Sequence, residues 1–263
     1  MKSNLKLLNK DLRKQIVNMI RKSKEGHIPS SFSIVDIIDH LYGKVLRYKV
    51  DNPDWSERDY FILSKGHGCA GLYVVLNKYG LVSDKDMDFY SLPGGVLGGH
   101  PDISVPHIEA STGSLGHGFP TAIGVALGLK IKQKQNRVFT LLGDGECHEG
   151  TIWESANVAC NRKLGNLCAI IDLNESGAQL MPDEDLPARW ESFGWKVQVI
   201  DGHDKNSITE AFNNIDFSID NVPSIIIAKN IKGKGVSFIE GHGPWHHKIP
   251  NDDEFEKIMM ELS

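Results

Sequence analysis

Residues 138–176, VFTLLGDGECHEGTIWESANVACNRKLGNLCAIIDLNES, decide the fold. An apolar run (Val138, Phe139, Thr140, Leu141, Leu142) stops at Gly143-Asp144-Gly145, a helix-like segment follows, and a second apolar run over 167–171 stops at Asp172-Leu173-Asn174. Two strands joined by a helix make one βαβ unit. Such a crossover sets the strands parallel, so Asp144 and Asn174, thirty residues apart, both fall at carboxyl-end loops, where open α/β sheets bind ligands.

The chemistry of that pair follows from its residue types. An Asp carboxylate and an Asn amide oxygen are hard ligands, and the turn after Asn174 can add a backbone carbonyl, placed by position at Ser176. Three protein oxygens leave an octahedral ion half open, and magnesium completes its shell with phosphate oxygens and water, so the implied ligand is a diphosphate held through Mg2+. Gly143 and Gly145, flanking Asp144, let backbone N–H groups approach that diphosphate closely, and the helix opening near Glu149 adds the favourable end of its dipole. On this reading no lysine is needed.

The chain of 263 residues, 40% hydrophobic, can bury a sizeable core within one large α/β domain. A formal charge of −5 leaves no electrostatic footprint for nucleic acid or an anionic membrane. No apolar run approaches the roughly eighteen residues of a membrane span, and the N-terminus lacks a compact hydrophobic region before a small-residue cleavage site, so a cytoplasmic location is expected. Cys69, Cys147, Cys160 and Cys168 show no paired spacing and read as free thiols. Cys147-His148-Glu149 lacks the CxxC or HExxH context of a zinc site.

Leu5, Leu8, Leu12, Ile16 and Ile20 recur at helical spacing and predict an amphipathic first helix ending near Gly26. A second helix is expected over 34–46 with Ser33 as N-cap, which leaves His27 on a loop. A short buried strand over 59–64 runs into the turn Lys65-Gly66-His67-Gly68 and a helix over 69–79. A Gly-rich loop over 93–101 carries His100, and the glycine-spaced turn over 111–118 leads into a helix over 122–132. Further on come a helix over 183–193, a strand over 195–200, a helix over 208–215, a buried strand over 223–229 and a short acidic last helix. With no repeat and no linker, the expectation is one domain over 1–263, with a mostly parallel sheet of five or six strands flanked by helices in three layers.

His27, His67, His100, His117, His203, His246 and His247 all fall on loops next to predicted strand ends or helix starts. Imidazole titrates near neutrality and both donates and accepts, which suits a site that binds sugar hydroxyls and moves protons among them.

The pattern GDG, about thirty residues, then Asn, with EG, WE and A between, resembles the thiamine-diphosphate motif of the transketolase family. The resemblance covers almost the whole chain in order. EGHIPSS resembles the family's SGHPG-type turn, implying that His27 contacts the donor's hydroxyls. LSKGHG resembles LSxGH, implying that His67 reaches the cofactor diphosphate and substrate, and GGHPD resembles GHPE, placing His100 near substrate. STGSLGHG resembles TGxLGQG, which implies cofactor contacts from the Gly113 backbone and the Leu115 side chain. KGKGVSF with Trp245-His246-His247-Lys248 resembles the KGKG…WHGK ending; His246 takes the position of the diphosphate-side histidine, while His247 stands where a glycine is usual, leaving open which of the two points inward. Glu149 and Glu154 match the acidic pair that links two active sites across the family's dimer interface. By the same resemblance Asp144, Asn174 and Ser176 hold the metal, Mg2+ with Ca2+ or Mn2+ as substitutes.

In the family a glutamate from a pyrimidine-binding module drives the cofactor's chemistry, and no stretch here resembles that module. The resemblance therefore implies the N-terminal subunit of a split transketolase. A separate chain would carry the pyrimidine-binding and C-terminal domains, in an α2β2 heterotetramer that transfers a two-carbon ketol unit from a ketose to an aldose. Two alternatives stand beside it: a subunit of a thiamine-dependent 2-oxo acid decarboxylase or dehydrogenase, and a non-catalytic interaction subunit.

Overall fold

A computed structural model describes residues 9–179, 181 and 185–263. Leu5 and Leu8 of the first helix, and Asp183 and Glu184 at the start of the helix expected over 183–193, lie outside the described residues. The strands are β1 (Tyr60–Leu63), β2 (Val138–Gly143), β3 (Leu167–Leu173), β4 (Lys196–Asp201) and β5 (Ser224–Lys229). They form one five-stranded sheet in the order β1-β2-β3-β5-β4, with every pairing parallel. The helices are α1 (Lys10–Ser23), α2 (Ile28–His40), α3 (Cys69–Lys78), α4 (Asp84–Asp88), α5 (Gly118–Ile131), α6 (Gly150–Asn161), α7 (Leu186–Ser192), α8 (Lys205–Asn213) and α9 (Asp252–Glu261).

Helices cover both faces of the sheet, which is why its central strands read as continuous apolar runs. Along β3 the side chains alternate between two cores. Cys168 and Ile170 join the layer built from α1, α2, α3, α8 and α9, and Leu167, Ala169 and Ile171 join that of α5, α6 and α7. Asp172, next in the first series, points into the first layer but carries a charge, and it is fully buried. On α1, Leu12, Ile16, Val17 and Ile20 are buried, and each such side chain removed from water contributes about 1.5–3 kcal/mol.

Three helices begin earlier than the sequence reading placed them; α8 starts at Lys205 rather than 208, with Asp204 as its N-cap. α2 starts at Ile28 rather than 34 because Pro29 opens it: proline's fixed φ and missing N–H suit the first turn of a helix. His27 is therefore the N-cap residue, and Ser33 lies inside the helix with its hydroxyl turned to the sheet. Likewise α5 starts at Gly118 rather than 122, with Pro120 in its first turn.

Candidate active site

The register pairs Gly143 with Asp172, so Asp144 and Asn174 leave adjacent strands at the same end of the sheet. Between them Asp172 ties a polar knot in the core. Its Oδ2 accepts from Ser33 Oγ (2.7 Å) and Asn174 Nδ2 (2.8 Å) and pairs with the Lys65 ammonium, while Oδ1 accepts from Asn230 Nδ2 (2.6 Å). Because the amide nitrogen of Asn174 is committed to Asp172, its Oδ1 is turned the other way, where the Ser176 N–H donates to it at 3.1 Å.

Asp144 shows what the site is built to hold. Its Oδ1 accepts from the Gly145 N–H (2.7 Å), but Oδ2 is buried without a hydrogen-bond partner. Burial pushes this carboxyl above the ordinary carboxylate range, and neighbouring Asp172 adds to the shift. A buried oxygen with no donor is costly, and a hard cation relieves it. Asp144 Oδ2, Asn174 Oδ1 and the backbone at Ser176 are thus a donor set that fits Mg2+. The two turns that carry them touch: a Cβ on Gly177 would lie 3.0 Å from Gly145 Cα, so only glycine permits this approach.

One sequence expectation is corrected at this point, and one is added to. The N–H groups of Gly143 and Gly145 are not free for a ligand: the first donates to Glu146 Oε2 at 3.2 Å and the second to Asp144 itself. The reason is local, since Glu146 folds back within the short turn Gly145–His148. Nor is the site without lysines. Lys65 and Lys232 are both buried beside it, and Lys232 Nζ lies 3.0 Å from Ser176 Oγ and 3.1 Å from His246 Nδ1. Burial, with Lys65 close by, lowers the pKa of Lys232.

The histidines sort into two groups. The His27 ring lies 5.4 Å from that of His67, 5.3 Å from His246 and 4.5 Å from His247, and His67 and His246 are 6.1 Å apart. Burial drives His67 down to about 2, helped by the Lys65 charge, and His27 down to about 4, helped by the surrounding imidazoles. Both rings are neutral at pH 7 and free to donate from one nitrogen and accept at the other. His27 Nδ1 is buried with no partner.

His100 reaches the same region from a loop pinned by Tyr73, whose hydroxyl donates to the His100 carbonyl (2.9 Å), and by the Cys69 thiol, 3.0 Å from the Gly99 carbonyl. Its ring packs on Gly113, where φ is +151° and a Cβ would lie 2.9 Å from His100 Cδ2. His246 faces Lys232, whereas His247 turns to Glu25 (Nε2 to Oε1, 3.2 Å).

His203 and His117 belong elsewhere. His203 Nδ1 bonds Asp36 (2.8 Å) and its Nε2 accepts from the Ile231 N–H (3.0 Å), so both ring nitrogens are satisfied and the ring braces the backbone at Ile231. His117 is exposed and folds onto its own turn, near Ser114 Oγ and the Leu115 carbonyl.

Glu146 went unnoticed in the sequence, although it is buried and joins three segments. Its Oε1 accepts from Ser64 Oγ and the Gly116 N–H (2.9 Å), tying the glycine turn to the ends of β1 and β2. Burial raises its pKa. Its position two residues after Asp144, inside the turn, was the available signal. Glu149 occupies the N-cap position of α6 without a side-chain cap bond and Glu154 sits in its second turn; both are exposed. The Leu115 side chain is also exposed, at 36%.

Comparison with known proteins bears on the whole arrangement. The family described as "Transketolase, thiamine diphosphate binding domain" matches residues 5–262. The chain is 38% identical to one of the subunits of the apulose-4-phosphate transketolase of Phocaeicola vulgatus, over 98% of this chain and 94% of that protein. It is 37% identical to 6-deoxy-6-sulfo-D-fructose transketolase subunit SqwG of a Clostridium species, over 95% and 93% respectively. The solved transketolase of Campylobacter jejuni superposes with a TM-score of 0.91 at 29% identity, covering 100% of this chain but only 43% of that one. The chain thus spans less than half the length of that solved transketolase. On the strength of a match along nearly its entire length, the chain belongs to the transketolase family, as its thiamine diphosphate binding domain.

Proposed function

We propose that this chain is the diphosphate-binding subunit of a two-chain transketolase. It moves a two-carbon ketol unit from a phosphorylated ketose to an aldose acceptor in the cytoplasm, in an α2β2 complex with a chain carrying the pyrimidine-binding and C-terminal domains. The observation that carries this reading is the buried, unpartnered Oδ2 of Asp144 beside the oriented Asn174 amide, together with the neutral imidazoles of His27 and His67. The subunit names of two relatives that this chain matches over 94% and 93% of their lengths support the separate partner. Among the described residues no helix is long and apolar enough to cross a membrane.

Thiamine diphosphate, when bound, supplies the nucleophilic carbon, and the protein supplies position and proton traffic. Asp144, Asn174 and the Ser176 backbone hold Mg2+, for which Ca2+ or Mn2+ substitutes. Gly143 and Gly145 shape the turn, and Lys232, His67 and His246 face the diphosphate. The Gly113 backbone and Leu115 flank the pyrimidine side. His27, His67 and His100 donate to and accept from sugar hydroxyls, and His27 and His67, being neutral, do so without a charge penalty. Glu149 and Glu154, exposed on α6, meet the neighbouring subunit.

The test is to purify the chain alone and with its partner chain, titrate thiamine diphosphate with Mg2+ by calorimetry, and assay ketol transfer. Transfer by the pair and not by either chain alone is expected, with Asp144→Ala abolishing cofactor retention. Robust transfer by this chain alone would refute the two-chain reading. Unchanged binding by Asp144→Ala would refute the metal assignment, and carbon dioxide release from a 2-oxo acid without ketose use would favour a decarboxylase subunit.

A further inference from the structure

Two departures from the family pattern meet in space. Glu25 stands where the SGHPG-type turn has Ser, and His247 stands where a glycine is usual; they are 222 residues apart in the chain, yet Nε2 of His247 lies 3.2 Å from Oε1 of Glu25. The His247 ring lies 4.5 Å from the ring of His27. Glu25 also abuts the loop that carries His100, since a Cβ on Gly99 would lie 3.4 Å from Glu25 Cγ. The pair therefore joins the three segments that present His27, His100 and His246.

Its exposure argues against a role in stability. The His247 and Glu25 side chains are 48% and 45% exposed, so the contact is screened by water and contributes little to folding. It is nonetheless reachable by anything that enters beside His27. The ammonium groups are buried, Lys65 beside Asp172 and Lys232 beside Ser176 and His246. The site thus combines buried ammonium groups with a half-exposed carboxylate at the rim near His27.

Resting on the transketolase reading above, we propose that Glu25 and His247 are a specificity pair for the donor sugar. The free oxygen sites of Glu25 accept hydroxyls of the uncharged, polyhydroxy end of the ketose, and His247 holds that carboxylate in place against His27. The same carboxylate repels an anionic group at that end of the sugar, so losing it costs a phosphorylated ketose less than an unphosphorylated one, because the repulsion goes with the contact. A Ser and a Gly at these positions would leave the rim wider and neutral.

The experiment uses the assembled two-chain enzyme with Glu25→Ser, His247→Gly and the double variant. Steady-state kinetics are measured with a phosphorylated ketose and its unphosphorylated counterpart, alongside thiamine diphosphate affinity by calorimetry and the melting midpoint. The double variant should raise KM for the unphosphorylated ketose about tenfold, the scale of losing a hydrogen-bonded hydroxyl contact. The phosphorylated ketose should be affected less, and kcat, cofactor affinity and melting should stay near wild type. Each single variant should show most of the effect, because the two side chains act as a unit. Equal KM values in wild type and double variant would overturn the proposal, as would a parallel loss of kcat and cofactor affinity, which marks a structural role. A wild-type complex with no ketol transfer would instead overturn the transketolase reading and this inference with it, whereas an active wild type with an unmoved KM ratio overturns the inference alone.

Discussion

Replacing Asp172 with Ala removes the acceptor around which the end of β3 is organised. The Lys65 and Asp172 side chains are 2% and 0% exposed, so the substitution strands an ammonium in the core. Breaking a buried pair from one side costs about 3–5 kcal/mol. Ser33, Asn174 and Asn230 lose their acceptor as well, and an orphaned buried donor costs about 1–3 kcal/mol unless water replaces the partner. Water entering the space left by the carboxylate offsets part of this, so a loss of about 5 kcal/mol is expected, a large share of a typical domain's 5–15 kcal/mol. Urea unfolding followed by tryptophan fluorescence measures it, and the pair Lys65→Met with Asp172→Asn should recover much of the loss by removing the unpaired charge. The milder Asp172→Asn alone should leave a folded protein with one oxygen acceptor shared among Ser33, Lys65, Asn174 and Asn230, so the Asn174 amide is held less firmly and Mg2+-dependent cofactor affinity falls about 10–100-fold. An Asp172→Ala protein within about 1 kcal/mol of wild type would refute the reasoning, because the lysine would then have another partner.

Glu146→Ala should cost about 3 kcal/mol, read as a lowered melting temperature, since the Ser64 hydroxyl and the N–H groups of Gly116 and Gly143 lose one shared acceptor; an unchanged melt would show that the turn is held otherwise. Stability should fall as pH drops from about 6.5 towards 4. His27 titrates near 6.5 when unfolded but at about 4 when folded, so the unfolded chain takes up more protons in that window, and His67, folded at about 2, extends the fall below it. Unfolding free energies at pH 7, 6 and 5 check this, and a His27→Ala protein should show a shallower slope than wild type. Gly113→Ala places a Cβ 2.9 Å from the His100 ring at a φ of +151°, so the variant should fold with reduced substrate affinity, seen as a raised KM in the assembled enzyme; an unaltered KM would mean that His100 does not depend on Gly113 for its position.

The periodicity of α1 and the apolar runs of β1, β2, β3 and β5 were legible because each is a local pattern in which burial on one face or two imposes a spacing on the residues. The starts of α2 and α5 were misplaced by six and four residues because the reading left Pro29 and Pro120 outside the helices, whereas they occupy first turns. Seven loop histidines looked alike in the sequence. The structure separated them, since His203 is satisfied at both ring nitrogens by Asp36 and Ile231, while His27 is left with a buried nitrogen and no partner.

By itself the sequence determined that a parallel α/β sheet exists and that Asp144 and Asn174 stand at its carboxyl end, because both follow from short-range pattern and the handedness of a βαβ crossover. Only the tertiary structure decided which groups surround that pair. Asp172 gathers Ser33, Lys65 and Asn230 from positions 139, 107 and 58 residues away, and Lys232 reaches Ser176 across 56. A buried charge selects its partners by proximity after the core has closed, and no local spacing in the chain encodes that choice.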